Sequence, residues 1–195
     1  TYIAHNKIYE FQILYGFQTD TFDILGILNA YHNPIKFKQK IDSINLNKYI
    51  GKTKQEYPPY SSIVVNKKPL WEWSKLGLID TIKPLPSKEI EIYEFKEIIY
   101  ESSIESYTSL HEKIKNMIYS LSEKNQPKFR VPEIMNIWNT YFDSYKDTLI
   151  GLTPIIKKYR ANVSSGTYIR SLSNQIGNDI GCGALAIDIK RIKLY

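Results

Sequence analysis

The sequence predicts an α+β fold, because segments with period-two alternation of apolar residues occur near both ends and in the middle, while a long stretch between them switches to helical spacing. Residues 8–15, 90–95 and 155–163 and the final ALAIDIKRIKLY alternate as strands, and residues 102–122 and the run opening at Pro132 repeat apolar positions every three or four residues. With 195 residues, 43% of them hydrophobic, the chain is long enough for one packed domain. A domain of that size buries about 70% of its unfolded surface without covalent staples.

Taken in order, the first strand sets Tyr9, Phe11, Ile13 and Tyr15 on one face with Glu10 and Gln12 opposite, and Gly16 ends it. Thr19-Asp20-Thr21-Phe22-Asp23, followed by Gly26, is rich in side chains that bond their own backbone and predicts an ordered loop. Residues 34–50, with Pro34 and spaced Ile41, Ile44 and Leu46, predict a short helix and its connection. Pro58-Pro59 excludes a helix and a central ladder position over residues 51–62, which must be extended at an edge or a site, and residues 63–65 resume as strand. Pro69 before LWEWSK and Gly77 after it mark the two ends of a helix. Ser102 with Glu105 predicts a capping box for the first long helix, whose face carries Ile104, Tyr107, Leu110, Ile114, Met117 and Leu121. The polar break SEKNQPK separates it from a second helix with Ile134, Trp138, Tyr141 and Tyr145, so residues 103–147 form a helical hairpin inserted between two strands. Tyr159, Ala161 and Val163 then share one strand face, Ser164-Ser165-Gly166-Thr167 turns into a helix with Ile169, Leu172 and Ile176, and the last strand faces its basic residues away from Ile187 and Ile189.

Composition removes several function classes. A single cysteine, Cys182, excludes an internal disulfide and predicts a reducing, intracellular compartment, and three scattered histidines, His5, His32 and His111, exclude a cysteine-histidine zinc site. No run of 18 apolar residues is present and residues 1–10 lack the layout of a signal peptide, so no membrane partner is expected. Nothing matches a phosphate loop or a dinucleotide fingerprint. The net charge of +6 favours an anionic partner without naming one.

Four groups of residues could carry chemistry. Ser164 to Arg170 lies at a strand-to-helix turn, either an anion site with Tyr168 and Arg170 beside it or an ordinary capped helix with Tyr168 in the core and Arg170 in solvent. Asp20 and Asp23 read either as an acid and base pair or magnesium ligands, or as a self-bonded turn. Cys182, between two small residues and far in sequence from any histidine, reads as structural. Tyr57 and Tyr60 around the two prolines, with Trp71 and Trp73 and nearby lysines, form either a stacking platform for unpaired bases or a packed cluster.

Three blocks together narrow these readings. Tyr9…Tyr15-Gly16-Phe17-Gln18-Thr19-Asp20-Thr21-Phe22-Asp23-Ile24-Leu25-Gly26, then Gly51…Gln55-Glu56-Tyr57-Pro58-Pro59-Tyr60-Ser61-Ser62, then Gly166-Thr167-Tyr168-Ile169-Arg170-Ser171-Leu172 with Gly181-Cys182-Gly183-Ala184 and Lys190-Arg191 resemble, in order and spacing, the TruB family of tRNA pseudouridine synthases. The resemblance covers residues 5–26, 51–100 and 154–195. It implies a mixed, largely antiparallel sheet flanked by helices, and a cleft that takes a uridine flipped from the tRNA T-loop. It implies cleavage of the N-glycosidic bond and rejoining of the base through carbon, with no metal and no cofactor. Tyr9 would contact the flipped base, while Tyr168 and Arg170 would line the cleft, the guanidinium holding the catalytic carboxylate ionised. Asp20 would shape the cleft and meet the RNA, Tyr60 and Ser61 would brace its floor, and Lys190 and Arg191 would bind RNA.

The family's nucleophilic aspartate belongs to a glycine-rich segment ending in Leu-Asp-Pro ahead of the tyrosine strand, and no such segment occurs in these residues. The expectation is therefore an N-terminally incomplete catalytic domain over residues 1–195, its nucleophile supplied from upstream, with no appended C-terminal RNA-binding domain. The alternative is an inactive relative that binds RNA or builds a ribonucleoprotein. The hairpin at 103–147, extra to the compact bacterial pattern, is a candidate contact for RNA or a protein partner, or simply a cover for the sheet.

Overall fold

The computed structural model describes residues 6–99, 102–121, 123–125 and 128–194; His5 and part of the break before Pro132 lie outside them. Elements follow in chain order as β1 (Lys7–Tyr15), β2 (Phe17–Thr19), β3 (Leu28–Tyr31), α1 (Lys38–Asp42), β4 (Gly51–Glu56), β5 (Val64–Val65), β6 (Lys68–Pro69), α2 (Leu70–Lys75), β7 (Ser87–Ile98), α3 (Tyr107–Tyr119), α4 (Val131–Leu149), β8 (Ile156–Val163), α5 (Ile169–Ile180) and β9 (Ala184–Leu194). The predicted α+β architecture is observed. Five strands make the main sheet in the order β4-β7-β8-β1-β9, with every neighbouring pair antiparallel. The parallel element is an isolated bridge between Asp23 and Ala186.

Strand alternation explains why the sheet carries two cores. Phe11, Ile13 and Tyr15 of β1 meet Tyr159, Ala161 and Val163 of β8 on one face, and α5 covers them with Ile169, Leu172 and Ile176. Within this layer the Tyr15 and Tyr159 hydroxyls lie 2.6 Å apart, buried, so each phenol's polar atom is satisfied where water cannot reach. Leu14, Leu185 and Ile187 point to the other face, where α3 and α4 lie over them. Phe17, just past β1, anchors that second layer with its ring 5.6 Å from Trp138, whose side chain is fully buried. The hairpin thus packs onto the sheet. Among the described residues no helix is long and apolar enough to cross a membrane.

Two local readings are corrected. The capping box of α3 is formed by Ser106 and Ser109, not by Ser102 and Glu105: Ser106 Oγ accepts from the Ser109 amide at 3.1 Å and Ser109 Oγ accepts from the Ser106 amide at 3.1 Å. Ser102 instead holds the Ile104 amide in the preceding turn. In β9, Ile187 is 3% exposed but Ile189 is 42% exposed, so they do not share a buried face. The cause is a bulge, since Gln12 faces Ile187 while Glu10 faces Lys190, with Asp188 at φ 52.

On the polar side of β1, Glu10 receives Lys158 at 2.8 Å and the Arg160 guanidinium from the neighbouring strand, and these contacts hold its carboxyl below the usual glutamate range. A depressed folded-state value means stabilisation that is present above the unfolded-state pKa and lost as pH falls through the folded one. Glu10→Gln is expected to flatten the acid side of a plot of stability against pH while costing no more than about 1 kcal/mol at neutral pH, the size of a partly exposed ion pair. Chemical denaturation at several pH values checks this, and an unchanged acid limb would refute it.

Candidate functional site

The loop from Thr19 to Gly26 is built from its own polar side chains. Thr19 Oγ1 donates to the Asp23 carbonyl at 2.6 Å, Thr21 Oγ1 donates to Asp23 Oδ1 at 2.7 Å, and the Leu25 and Ile27 amides donate to Asp23 Oδ1 and Asp20 Oδ1 at 3.0 and 2.8 Å. Gly26 is required because a Cβ there would stand 2.3 Å from Thr21 Oγ1 and 2.8 Å from Asp20 Oδ1. The self-bonded turn is therefore the correct reading of this segment. Among the described residues there is no group of three or more histidine, cysteine or acidic side chains placed to hold a metal. The second oxygen of each carboxylate faces an arginine: Asp20 Oδ2 is 2.9 Å from Arg130, and Asp23 Oδ2 is 3.6 Å from Arg170.

The segment around Pro58-Pro59 is fixed from α2. The Leu70 and Trp71 amides donate to the carbonyls of Ile63 and Ser61 at 2.8 and 3.1 Å, and Ser74 Oγ donates to the Pro59 carbonyl at 2.8 Å. Both prolines follow the edge strand β4, where the missing N–H breaks no ladder.

Arg170, in the first turn of α5, joins these loops. Its guanidinium donates to the Tyr60 carbonyl at 2.8 Å and to the Thr21 carbonyl at 3.2 Å, and the side chain is 20% exposed, so the solvated alternative does not hold. Burial raises the Asp23 carboxyl above its ordinary range, against the opposing charge of Arg170. At the start of α5, one of the backbone amides is engaged from β4. The Tyr168 amide is taken by Gln55 Oε1 at 2.8 Å and the Tyr168 carbonyl by Gln55 Nε2 at 3.1 Å, so a glutamine of β4 holds the residue that leads into the helix.

A cavity of about 270 Å³ opens where these pieces meet, walled by Thr21, Asp23 and Leu25, by Tyr60, Ser61 and Ser62, and by Arg170. Ligand pockets start at roughly 300 Å³, so this space suits one small ring system and not a duplex. Ser61 is 4% exposed and its hydroxyl has no hydrogen-bond partner among the described residues, leaving a buried donor beside the cavity. The rest of the wall, Trp71 and Lys75 of α2 and Lys128, Phe129 and Arg130 of the hairpin turn, was in part invisible to sequence reasoning. The one signal for the turn was the basic-aromatic triplet KFR just ahead of Pro132.

Of the sequence-predicted residues, Arg170, Tyr60 and Ser61 line this one cavity, and Asp20 stands behind it through Arg130, whose guanidinium lies 4.4 Å from the Tyr60 ring. Tyr168 and Tyr9 are not part of the lining. Tyr168 stands edge-on to Tyr57 at 5.8 Å, with the Arg170 guanidinium 5.8 Å from its own ring. Tyr9 packs against the same core that α5 covers, with Arg191 5.7 Å from its ring. Lys7 Nζ, two residues before it, donates to Ser165 Oγ at 3.0 Å and ties the start of β1 to the turn into α5. Lys190 lies elsewhere, opposite Glu10 in a depression with Gln12 and Asp188. Cys182 is fully buried, and burial pushes its thiol up, as expected for a structural residue.

Residues 1–120 match the family model described as TruB family pseudouridylate synthase (N terminal domain). Among curated proteins, "tRNA pseudouridine synthase 4" of Saccharomyces cerevisiae is 24% identical over 221 residues, covering 96% of this chain and 52% of that protein. "tRNA pseudouridine synthase B" of Lactococcus lactis subsp. cremoris is 38% identical over 95 residues, covering 47% of this chain and 27% of that protein. This chain therefore spans about half or less of the relatives it matches. Among solved structures, a Cbf5-Nop10-Gar1 complex aligns with a TM-score of 0.43 at 13% identity, over 98% of this chain and 31% of that one.

Proposed function

We propose, because the chain belongs to the TruB family of pseudouridylate synthases, that it forms part of an enzyme that isomerises uridine to pseudouridine in tRNA. The observation that carries the reading is Arg170, mostly buried in the wall of a nucleobase-sized cavity and held by backbone carbonyls of the other two family blocks. A guanidinium stays charged when desolvated, so at that place it is suited to hold a carboxylate nucleophile ionised. The nucleophilic aspartate assigned by the resemblance is not among these 195 residues, and the reading takes it from the remainder of the complete protein.

The uridine would be extruded from its stack, and the lost stacking replaced by protein rings. The resemblance makes Tyr9 and Tyr168 the proposed aromatic contacts to the base, although neither lines the cavity beside Arg170, and Asp20, Tyr60, Ser61, Lys190 and Arg191 the proposed contacts to the RNA. Ser61, with its unpartnered buried hydroxyl, is suited to a polar edge of the base. In the reaction the bond from C1′ to N1 breaks and a bond from C1′ to C5 forms. The C5 hydrogen leaves as a proton and N1 gains one, so the change is an isomerisation that needs no redox partner.

The test uses the complete protein and an unmodified tRNA transcript carrying tritium at uridine C5. Release of tritium to water above the enzyme-free background is the expected result. Saturable binding of the transcript with no release would overturn the catalytic reading and leave an RNA-binding protein.

A further inference from the structure

The helical hairpin lies outside the three family blocks, yet its connecting turn reaches the cavity. Arg130 begins α4 in the left-handed region, at φ 56 and ψ 34, and from there its guanidinium donates to Asp20 Oδ2 at 2.9 Å and covers the Tyr60 ring. Lys75 Nζ of α2 donates to the Lys128 carbonyl at 2.7 Å. The turn is thus latched at two points, once to the Thr-Asp-Thr loop and once to α2, and Lys128, Phe129 and Arg130 join Arg170 in lining the cavity.

The chemistry of this wall is one-sided. Asp20 and Asp23 each face an arginine, whereas Lys75 and Lys128 face no carboxylate among the described residues, so two positive charges remain at the cavity. Beside them stand two half-exposed rings, Trp71 at 38%, which has the Lys75 ammonium over one face at 5.4 Å, and Phe129 at 40%. Amines without a carboxylate partner and half-exposed rings at the edge of a base-sized cavity match a strand with charged phosphates and unstacked bases.

We infer that the hairpin turn, residues 128–130, together with Trp71 and Lys75, is a landing surface for the RNA strand next to the extruded uridine. The inference rests on the proposed function for the identity of the nucleic acid. Phe129 and Trp71 take the neighbouring bases by stacking, Lys128 and Lys75 take phosphates, and Arg130 is a positioning residue that holds the turn against Asp20.

The test compares the complete wild-type protein with Phe129→Ala and Lys128→Ala for binding of an unmodified tRNA transcript over a range of salt. Phe129→Ala is expected to weaken binding roughly 10-fold to 100-fold, the loss typical of one stacked base. Lys128→Ala is expected to make the plot of log affinity against log salt shallower by about one. Because both side chains are exposed, thermal unfolding should stay at the wild-type midpoint. As a second measurement independent of variants, a transcript with 4-thiouridine beside the target should photo-crosslink to the peptide holding Phe129 or Trp71. If wild type neither binds nor isomerises the transcript, the proposed function fails and this inference with it. If wild type does both while the variants keep its affinity and salt slope, or the crosslink falls elsewhere, only this inference is overturned. Loss of a co-purifying protein with unchanged RNA affinity would likewise overturn it and make the turn a protein dock.

Discussion

Arg170→Ala in the complete protein should release tritium from uridine about 10²-fold to 10³-fold more slowly than wild type, the cost of removing one preorganised electrostatic group, while transcript affinity changes only a few-fold. The separation follows from where the guanidinium sits. It is enclosed at the wall of the cavity, bonded to the carbonyls of Tyr60 and Thr21, and it is not on the exposed edge where phosphates would run. Arg170→Lys should recover little of the rate, because an ammonium on a flexible stem cannot keep a planar fork on two carbonyls and present the remaining N–H groups to a carboxylate. A measurable drop in the thermal midpoint is also expected for both variants, since the side chain joins α5 to two loops. The decisive comparison is therefore single-turnover rate with saturating enzyme, where a folded fraction can be counted. Rates for Arg170→Ala within a few-fold of wild type under those conditions would remove Arg170 from the reaction.

What was readable in the chain and what was not divides along sequence distance. Tyr9 to Tyr15 and Tyr159 to Val163 announce their faces because alternation is a local property, and Thr19 to Gly26 announces its turn because the side-chain bonds that build it span no more than 7 residues. The helix-capping error has the same origin, since Ser102 and Ser106 are equally good local caps and only the packing of Ile104 and Tyr107 against the sheet selects the second. Contacts that close the site are not local. Gln55 bonds Tyr168 at the entry to α5 across 113 residues, and Arg130 reaches Asp20 across 110. Nothing in a glutamine on an edge strand, or in an arginine before a helix, tells which distant group it will meet. The family blocks supplied Arg170, Tyr60 and Ser61 because those positions carry their own pattern. The hairpin turn carries only the short KFR triplet, which says nothing of what it will meet, and its place beside the cavity came from the fold.

Gly177→Ala should destabilise the protein by about 3 kcal/mol or more, the upper range for forcing an atom into a filled site, although alanine is the better helix former by about 1 kcal/mol. Distance decides between the two effects. A Cβ at Gly177 would lie 2.1 Å from the Ala184 nitrogen and 2.4 Å from the Gly183 carbonyl carbon, and these are backbone atoms that no rotamer change can move aside. The same residue's carbonyl accepts the amides of Gly181, Cys182 and Gly183 at 3.0, 3.2 and 3.0 Å, so the end of α5 and the start of β9 are bonded backbone to backbone. Pushing β9 away would pull on Ala186, whose amide donates to the Phe22 carbonyl at 3.0 Å, and through it on the Thr-Asp-Thr loop beside the cavity. For a chain of this length the thermal midpoint should fall by roughly 6–12 °C. Gly77→Ala is the matched control: its φ of +68 leaves backbone strain of about 1–2 kcal/mol, but no heavy atom lies within 4 Å of the added carbon. If the two variants melt together, the close approach of α5 and β9 is not what holds this corner of the site, and the coupling from Gly177 to Asp23 is lost with it.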